Sequence, residues 1–230
     1  MRPFSRLTAY GSYTQGLEDS QVAPSNATNR GASPPATPTW QADGGVRFRF
    51  RNDLQLLLGA FEIHKTYFAV DTANLYTAIG DIRMRGLESS TTWKGPMGLT
   101  VVAGAVWLRP EVARRVSELG ATGDVPIGPV PGTIDFNVDY APDIWRGWGA
   151  SLQWNWLSSR VATSDDRYRL PALNRLDVGL RYTGSLLTHP WSARLDVGNV
   201  TNTRGLSLGW DYSALPQLSR NYTLTLAVDL

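Results

Sequence analysis

Apolar and polar residues alternate along the last nine positions, Tyr222-Thr-Leu-Thr-Leu-Ala-Val-Asp-Leu230. Tyr222, Leu224, Leu226, Val228 and Leu230 fall on one face, and Thr223, Thr225, Ala227 and Asp229 on the other. A period of two marks a strand with one apolar and one polar side. Segments near 4–14, 39–51, 54–67, 75–92, 98–109, 132–141, 148–159, 172–183, 191–202 and 217–230 repeat the pattern, with turn residues between them. Each is close to the ~9–11 residues that a tilted strand needs to cross a bilayer. The pattern predicts an all-β chain: an antiparallel transmembrane β-barrel segment of about ten strands. Its last strand, ending on apolar Leu230, reads as the signal met by a barrel-assembly machinery.

The connections alternate in length. Short turns are expected at Arg51–Asp53, Lys94–Gly98, Pro142–Gly147 and Gly184–Pro190. Longer loops are expected at Gln15–Pro38, Arg109–Pro131, Arg160–Pro171 and Thr203–Pro216, and a brief one at Phe68–Asn74. Outer-membrane barrels segregate short periplasmic turns from long extracellular loops in this way. Val112–Leu119 could form a short loop helix.

Strand charges sit opposite the apolar positions. Arg47, Arg49, Asp135, Asp139, Arg175, Asp177, Arg181, Arg194 and Asp196 all alternate with apolar neighbours. A charge facing lipid at mid-depth costs about 2–4 kcal/mol, so these nine are expected to face the lumen, where opposite signs can pair. Glu62 and His64 share a strand face and read as a further lumen-facing polar pair. Trp93, Trp145, Trp148 and Trp191 lie beside the short turns. Trp40, Trp107 and Trp210, with Tyr67, Tyr76 and Tyr212, lie near the other ends. Amphipathic rings prefer the headgroup level, so these read as two aromatic girdles. One strand breaks the rule: the apolar phase slips between Met84 and Leu87, and a bulge at Gly86 would account for it.

Composition narrows the function. No run of 18 apolar residues exists, so no transmembrane helix is expected. The net charge of +2 is too small to suggest nucleic acid as a partner. There is no cysteine, hence no disulfide framework, thiolate metal site or cysteine nucleophile. No Gly-x-Ser-x-Gly, His-Glu-x-x-His or phosphate-cradling loop occurs, so neither enzymatic activity, a metal nor a cofactor is expected. Met1–Thr8 lacks the apolar segment of a signal peptide. Export then implies a removed leader or a chain that is the C-terminal part of something longer, and the second is expected.

Several segments carry a family resemblance. Leu7-Thr-Ala-Tyr-Gly-Ser-Tyr-Thr-Gln-Gly-Leu-Glu18 with Val22-Ala-Pro24, Arg85-Gly-Leu-Glu88, Leu195-Asp-Val-Gly-Asn-Val-Thr-Asn202 and Ser219-Arg-Asn-Tyr-Thr-Leu-Thr-Leu226 occur in an order that resembles the C-terminal half of TonB-dependent siderophore receptors. The family usually ends in Phe or Trp, whereas this chain ends in Leu230. The resemblance implies an outer-membrane location in a Gram-negative bacterium and a partial barrel over 1–230, with the plug domain absent. It implies uptake of ferric siderophores or similar chelates, with TonB engaged only through the missing plug region, and outer-membrane lipid as a partner. Ligand contacts from this part are expected at loop-base aromatic and cationic residues: Tyr67, Tyr76, Trp107, Arg109, Tyr168 and Tyr212. Two alternatives stay open, a small standalone porin-like barrel and a soluble β-sandwich binding module. An incomplete wall would leave the first and last strands unpaired with each other, and Leu226 and Val228 pointing away from the concave side.

Overall fold

The computed structural model describes residues 6–115, 123–163, 165–186, 189–209 and 213–229. The strands, in chain order, are β1 (Leu7–Glu18), β2 (Thr37–Arg51), β3 (Leu54–Val70), β4 (Tyr76–Lys94), β5 (Leu99–Arg115), β6 (Gly132–Tyr140), β7 (Trp148–Leu157), β8 (Arg160–Val161), β9 (Arg169–Leu170), β10 (Leu173–Leu186), β11 (His189–Gly198), β12 (Leu206–Leu208), β13 (Ala214–Pro216) and β14 (Asn221–Val228). A short 3-10 turn, Asp143–Trp145, links β6 to β7. Ten strands form one antiparallel sheet in the order β1-β2-β3-β4-β5-β6-β7-β10-β11-β14. Every neighbour is the next strand along the chain once the loop hairpins β8–β9 and β12–β13 are set aside. That is the meander of a barrel wall.

All ten expected strands are present, with moved ends. β1 is displaced toward its loop, and β11 stops at Gly198, where Asn199 turns with φ 52°. β3, β4 and β5 are 17, 19 and 17 residues long, well beyond the ~9–11 that a bilayer requires. Val112–Arg115 therefore continue β5, not a loop helix; 116–119 lie outside the described residues, as do Trp210, Tyr212 and Leu230. The two loop hairpins left no signal in the alternation because their strands are two or three residues long.

The sheet stays open. β1 and β14 occupy its two ends and do not pair with each other, as an incomplete wall requires. One layer of sheet cannot cover its own apolar face. Tyr222, Leu224, Leu226 and Val228 are 56–68% exposed, an apolar surface suited to lipid rather than water.

Register separates the two faces. Leu224 pairs with Leu195, Leu195 with Leu180, and Leu180 with Ala150, so the apolar positions line up on one side. All nine expected lumen charges lie on the other. The polar side is the one on which side chains converge. Tyr10 of β1 donates its hydroxyl to Glu88 of β4 at 3.1 Å, reaching across two intervening strands. The crossing is possible because glycine stands beneath it on each strand. A Cβ on Gly45 or Gly59 would come within 2.7 Å of the Tyr10 hydroxyl.

The expected bulge at Gly86 is not there. Gly86 pairs in continuous register with Phe61 on one side and Leu108 on the other. The register shifts fall higher, between Tyr67 and Phe68 and between Asp81 and Ile82. Gly86 is small because the Phe61 ring lies on it, 2.3 Å from where a Cβ would stand. The phase slip between Met84 and Leu87 has another cause, described next.

Candidate functional site

The inner face carries charge that is paired locally. Arg181 on β10 forms a two-pronged ion pair with Asp139 on β6, one contact at 2.8 Å, passing over Gly149 of β7. Arg175 pairs with Asp177 at 2.9 Å, and Arg194 with Asp196 at 2.8 Å, each two residues apart on one strand. Asn155 donates to Asp135 at 2.6 Å and Ser12 to Asp43 at 2.7 Å. The ion-paired side chains are a quarter to a half exposed, so each pair contributes little alone. Together they neutralise much of the charge that this polar face carries. Arg47 and Arg49 share this face with Asp43 through the alternation of β2.

The outer ends are built by loop packing. The connection 19–36 folds back on the β3–β4 hairpin. The Asn29 amide accepts from the Tyr76 N–H and donates to the Tyr76 carbonyl, both at 2.9 Å, while the Thr28 N–H donates to the Asn74 carbonyl at 2.7 Å. Ala23, Ala27 and Tyr76 are buried there, against Phe68 and Val70. Tyr67 is buried in a neighbouring cluster with Ala69, Ile79 and Ile82. The connections after β5 and β7 are tied together. Asp166 accepts from the Asp124 and Val125 amides at 2.7 and 3.2 Å, and Gly128 donates to the Val161 carbonyl at 3.3 Å. In the hairpin from β8 to β9, the Thr163 hydroxyl donates to Asp165 at 2.5 Å. With the Arg167 amide, that bond holds the Asp165 carboxyl below its ordinary range. Burial lowers the Arg160 guanidinium nearby.

Asn199, fully buried, organises the long connection from β11 to β14. Its backbone N–H donates to Asp177 at 2.7 Å, its amide donates to the carbonyls of Thr203 and Leu218, and its oxygen accepts from the Thr203 N–H at 2.9 Å. Asn202, also at positive φ, accepts from the Arg220 amide at 3.1 Å. The Asn199-Val-Thr-Asn202 segment, expected to continue a strand, is a turn that returns the chain toward β14.

The five expected ligand residues that are described, Tyr67, Tyr76, Trp107, Arg109 and Tyr168, do not form one cluster. Tyr67 and Tyr76 are 4% and 6% exposed and packed into the loop-base clusters. Trp107 and Arg109, in β5, alternate with Leu108 on the outer face. Tyr168 alone stands free at a loop tip, 70% exposed. Tyr212 lies outside the described residues. The remaining girdle is in place at the turn ends. Trp148, Tyr182 and Trp191 lie in a row, tilted to one another, with centroids 5.0 and 5.2 Å apart, and Trp145 packs edge-on to Tyr140 at 5.0 Å.

The sequence reading missed a charged cluster on the outer face. Glu62 and His64 face outward, not into the lumen. They line up with Ala60 and Leu58 on β3, with Ala42 and Trp40 on β2, and with Arg85 and Arg83 on β4. Glu62 receives both Arg83 and Arg85 at 3.1 Å and His64 at 2.7 Å; Arg109 pairs with Glu111 at 2.6 Å. The Trp40 ring stacks on His64 at 4.1 Å. Phe61, Ile63, Met84 and Ile82 therefore face inward at this height. The phase slip was the trace of this reversal of polarity.

A family model described as TonB dependent receptor-like, beta-barrel matches residues 2–202. The ferrichrome receptor FcuA of Yersinia enterocolitica is 26% identical over 213 residues, covering 89% of this chain and 27% of that protein. The ferric preacinetobactin receptor BauA of Acinetobacter baumannii superposes with a TM-score of 0.81 at 23% identity, over all of this chain and 35% of that one. The unliganded ferric citrate transporter FecA superposes with a TM-score of 0.75 at 15% identity, over 97% and 36%. The chain thus spans roughly a third or less of the proteins that it matches. With strand order, face segregation and family match in agreement, the chain belongs to the TonB-dependent receptor-like β-barrel family of the Gram-negative outer membrane.

Proposed function

We propose that this chain is the C-terminal wall of a receptor for ferric siderophores or similar iron chelates, driven by TonB. The observation that carries this reading is a wall with two unpaired edges and a charged inner face that carries three Arg–Asp ion pairs. Unpaired strand amides in lipid cost several kcal/mol each, so such a wall needs further strands on both sides. Its polar inner face suits an occupied lumen. The names of the relatives, receptors for ferrichrome and ferric preacinetobactin and a transporter of ferric citrate, support a chelated-iron cargo and transport without chemistry. In this reading the wall supplies outer loops that include Tyr168 and Tyr212 as ligand contacts. A plug supplied from outside these 230 residues contacts TonB, and β14 is read by the barrel-assembly machinery.

The test is uptake. The full receptor polypeptide carrying this wall is expressed in a strain stripped of its own ferric-chelate receptors, and accumulation of radiolabelled iron is measured with hydroxamate, catecholate and citrate chelates. Uptake that requires TonB is expected with at least one chelate. A receptor that reaches the outer membrane yet supports none, or supports uptake equally without TonB, would favour the porin-like alternative.

A further inference from the structure

The inner face balances its charges unevenly. In the strands from β6 to β11 each arginine has an aspartate: Arg181 has Asp139, Arg175 has Asp177 and Arg194 has Asp196. At the turn end of β1 to β4 the balance fails. Alternation along β2 puts Arg47, Arg49 and Arg51 on the inner side, with the rings of Phe48 and Phe50 stacked on the other at 6.0 Å. The Asn52-Asp53 turn brings the chain back as β3. Lys94 closes β4 beside that turn, its N–H on the Asp53 carbonyl at 2.8 Å. Arg6 stands at the start of β1.

These pieces enclose a cavity of about 720 Å³, lined by Arg6, Arg49, Arg51, Asn52, Asp53 and Lys94. Asp53 is the single carboxylate of the lining, and it meets Arg51 at 3.3 Å. Arg6, Arg49 and Lys94 make no ion pair among the described residues. Asp139 stands on the same row of the sheet as Lys94, through Thr100, but it is taken by Arg181. Three cations are thus left without a counter-charge from this wall.

That lining selects its occupant. A cleft walled by one sign of charge focuses its field and concentrates counter-ions. The volume falls within the range of small-molecule sites, about 300–1,000 Å³. Guanidinium takes a carboxylate through two parallel N–H bonds, and an ammonium adds a compact charge. A neutral molecule gains neither, and a cation is repelled. The place matters as well. Short turns face the periplasm in outer-membrane barrels, so the cavity stands at the mouth by which a cargo leaves the lumen.

We infer that this cavity is an anion site at the periplasmic mouth, holding iron chelates with free carboxylates as they leave. The inference rests on the proposed reading of the chain as the wall of an iron-chelate transporter, and it narrows the cargo to anionic chelates. An acidic segment of the plug is the rival occupant, and the test separates the two.

Asn52→Cys is made in a full receptor polypeptide free of other cysteines, purified in detergent so that both mouths meet the reagent. Its reaction rate is measured with methanethiosulfonates that carry a sulfonate or a trimethylammonium group. Relative to free cysteine, the sulfonate reagent should be favoured about tenfold, and added salt should shrink the preference. Ferric citrate should slow the sulfonate reagent. A ferric trihydroxamate, whose ligand charges cancel that of the iron, should not. Arg49→Gln/Lys94→Gln should lose both the preference and the protection, and Arg6→Gln part of each. Heat-modifiable mobility checks that the variants are folded, and if the double variant is not, Arg6→Gln decides. Equal rates for the two reagents would assign the cations to acidic residues of the plug and overturn the site. Equal protection by the trihydroxamate, or a preference unchanged in the folded variants, would overturn it too. Iron uptake is scored separately with the same two chelates: uptake of neither, with protection by ferric citrate intact, speaks against the transport reading alone.

Discussion

The wall from β6 to β14 obeys one rule from rim to rim, and the wall from β3 to β5 does not. On β6, β7, β10, β11 and β14 the outer face carries no charged side chain among the described residues. Its polar Asn174 accepts a hydrogen bond from the Trp154 indole at 2.5 Å. On β3, β4 and β5 the same face is uncharged only up to Ala60, Leu87 and Trp107, with Thr91 and Ser89 of β4 on it. Above them it turns to Glu62, Arg85 and Arg109, and the inner face turns apolar with Phe61, Ile63 and Met84. The difference teaches that alternation encodes depth as well as side. A barrel strand longer than the bilayer changes solvent along its length, and its pattern inverts where lipid gives way to headgroups and loops. The long β3–β5 hairpins reach that boundary within regular strand; the shorter β6, β7 and β11 reach it in turns.

The sharpest way to break this comparison is to move an arginine. Val178→Arg places a guanidinium on the outer face of β10 about 10 Å above the Tyr182 girdle, between Val197 and Leu152. It should destabilise the barrel by about 2–4 kcal/mol. Arg85→Leu, at the rim of the same face, should change stability by less than about 1 kcal/mol in either direction. Both are measured in the full receptor as shifts in denaturant unfolding in detergent, followed by tryptophan fluorescence. Equal losses at the two sites would mean that the cluster does not lie at the membrane boundary.

The inner face offers a second contrast. Between β1 and β4 it is bridged by Tyr10 and Glu88 over two glycines; between β6 and β10 it is bridged by Asp139 and Arg181. Gly45→Val should cost about 1–3 kcal/mol, because its Cβ would stand 2.4 Å from the Leu58 carbonyl oxygen, a backbone atom that cannot move aside. Gly11→Val, on the outer face with only the Asp43 carbonyl 3.7 Å away, should cost under about 0.5 kcal/mol. Tyr10→Phe, which removes the hydrogen bond and keeps the ring, should fall between them at about 1 kcal/mol. A Tyr10→Phe loss as large as that of Gly45→Val would assign the glycine's role to the bridge itself rather than to backbone clearance.

Much of this was legible in the sequence. Ten strands, their meander order and the side taken by nine charges follow from a period of two, because each one-residue slip would put every side chain on the wrong face. The open edges follow from a strand count too small for the family that the motifs resemble. The burial of Tyr76 was not legible, because nothing in the alternation shows that 19–36 folds back on β3–β4 and packs Ala23 and Ala27 against it. That is tertiary packing carried by Asn29, an ordinary loop residue in sequence. The outer cluster was visible as a phase slip between Met84 and Leu87, yet a bulge and a depth-dependent reversal leave the same trace in a single strand. Only pairing with Glu62 on one side and Arg109 on the other separates them.

The smallest expected effect compares the two rims by what fastens them. The rim over β3–β4 is held by Asn29, whose amide does not titrate, through its two bonds to Tyr76. The rim between β8 and β9 is held in part by Asp165, which accepts from the Thr163 hydroxyl and the Arg167 amide. Those bonds favour the carboxylate, so its folded pKa lies below the ordinary ~3.9 of an aspartate. Its contribution is therefore complete above that ordinary value and is lost as pH falls through the lowered one. Because the group is exposed, the effect is local to the hairpin and leaves the wall intact. Amide hydrogen exchange, measured in detergent from pH 6 down to pH 2 and corrected for the intrinsic rate, should show Arg167 and Tyr168 losing protection at the acid end while Tyr76 keeps it. Asp165→Asn, which retains an acceptor oxygen and removes the charge, should flatten the Arg167 response. If Arg167 and Tyr76 lose protection together at one pH, the barrel as a whole is responding and the two rims are not separately fastened.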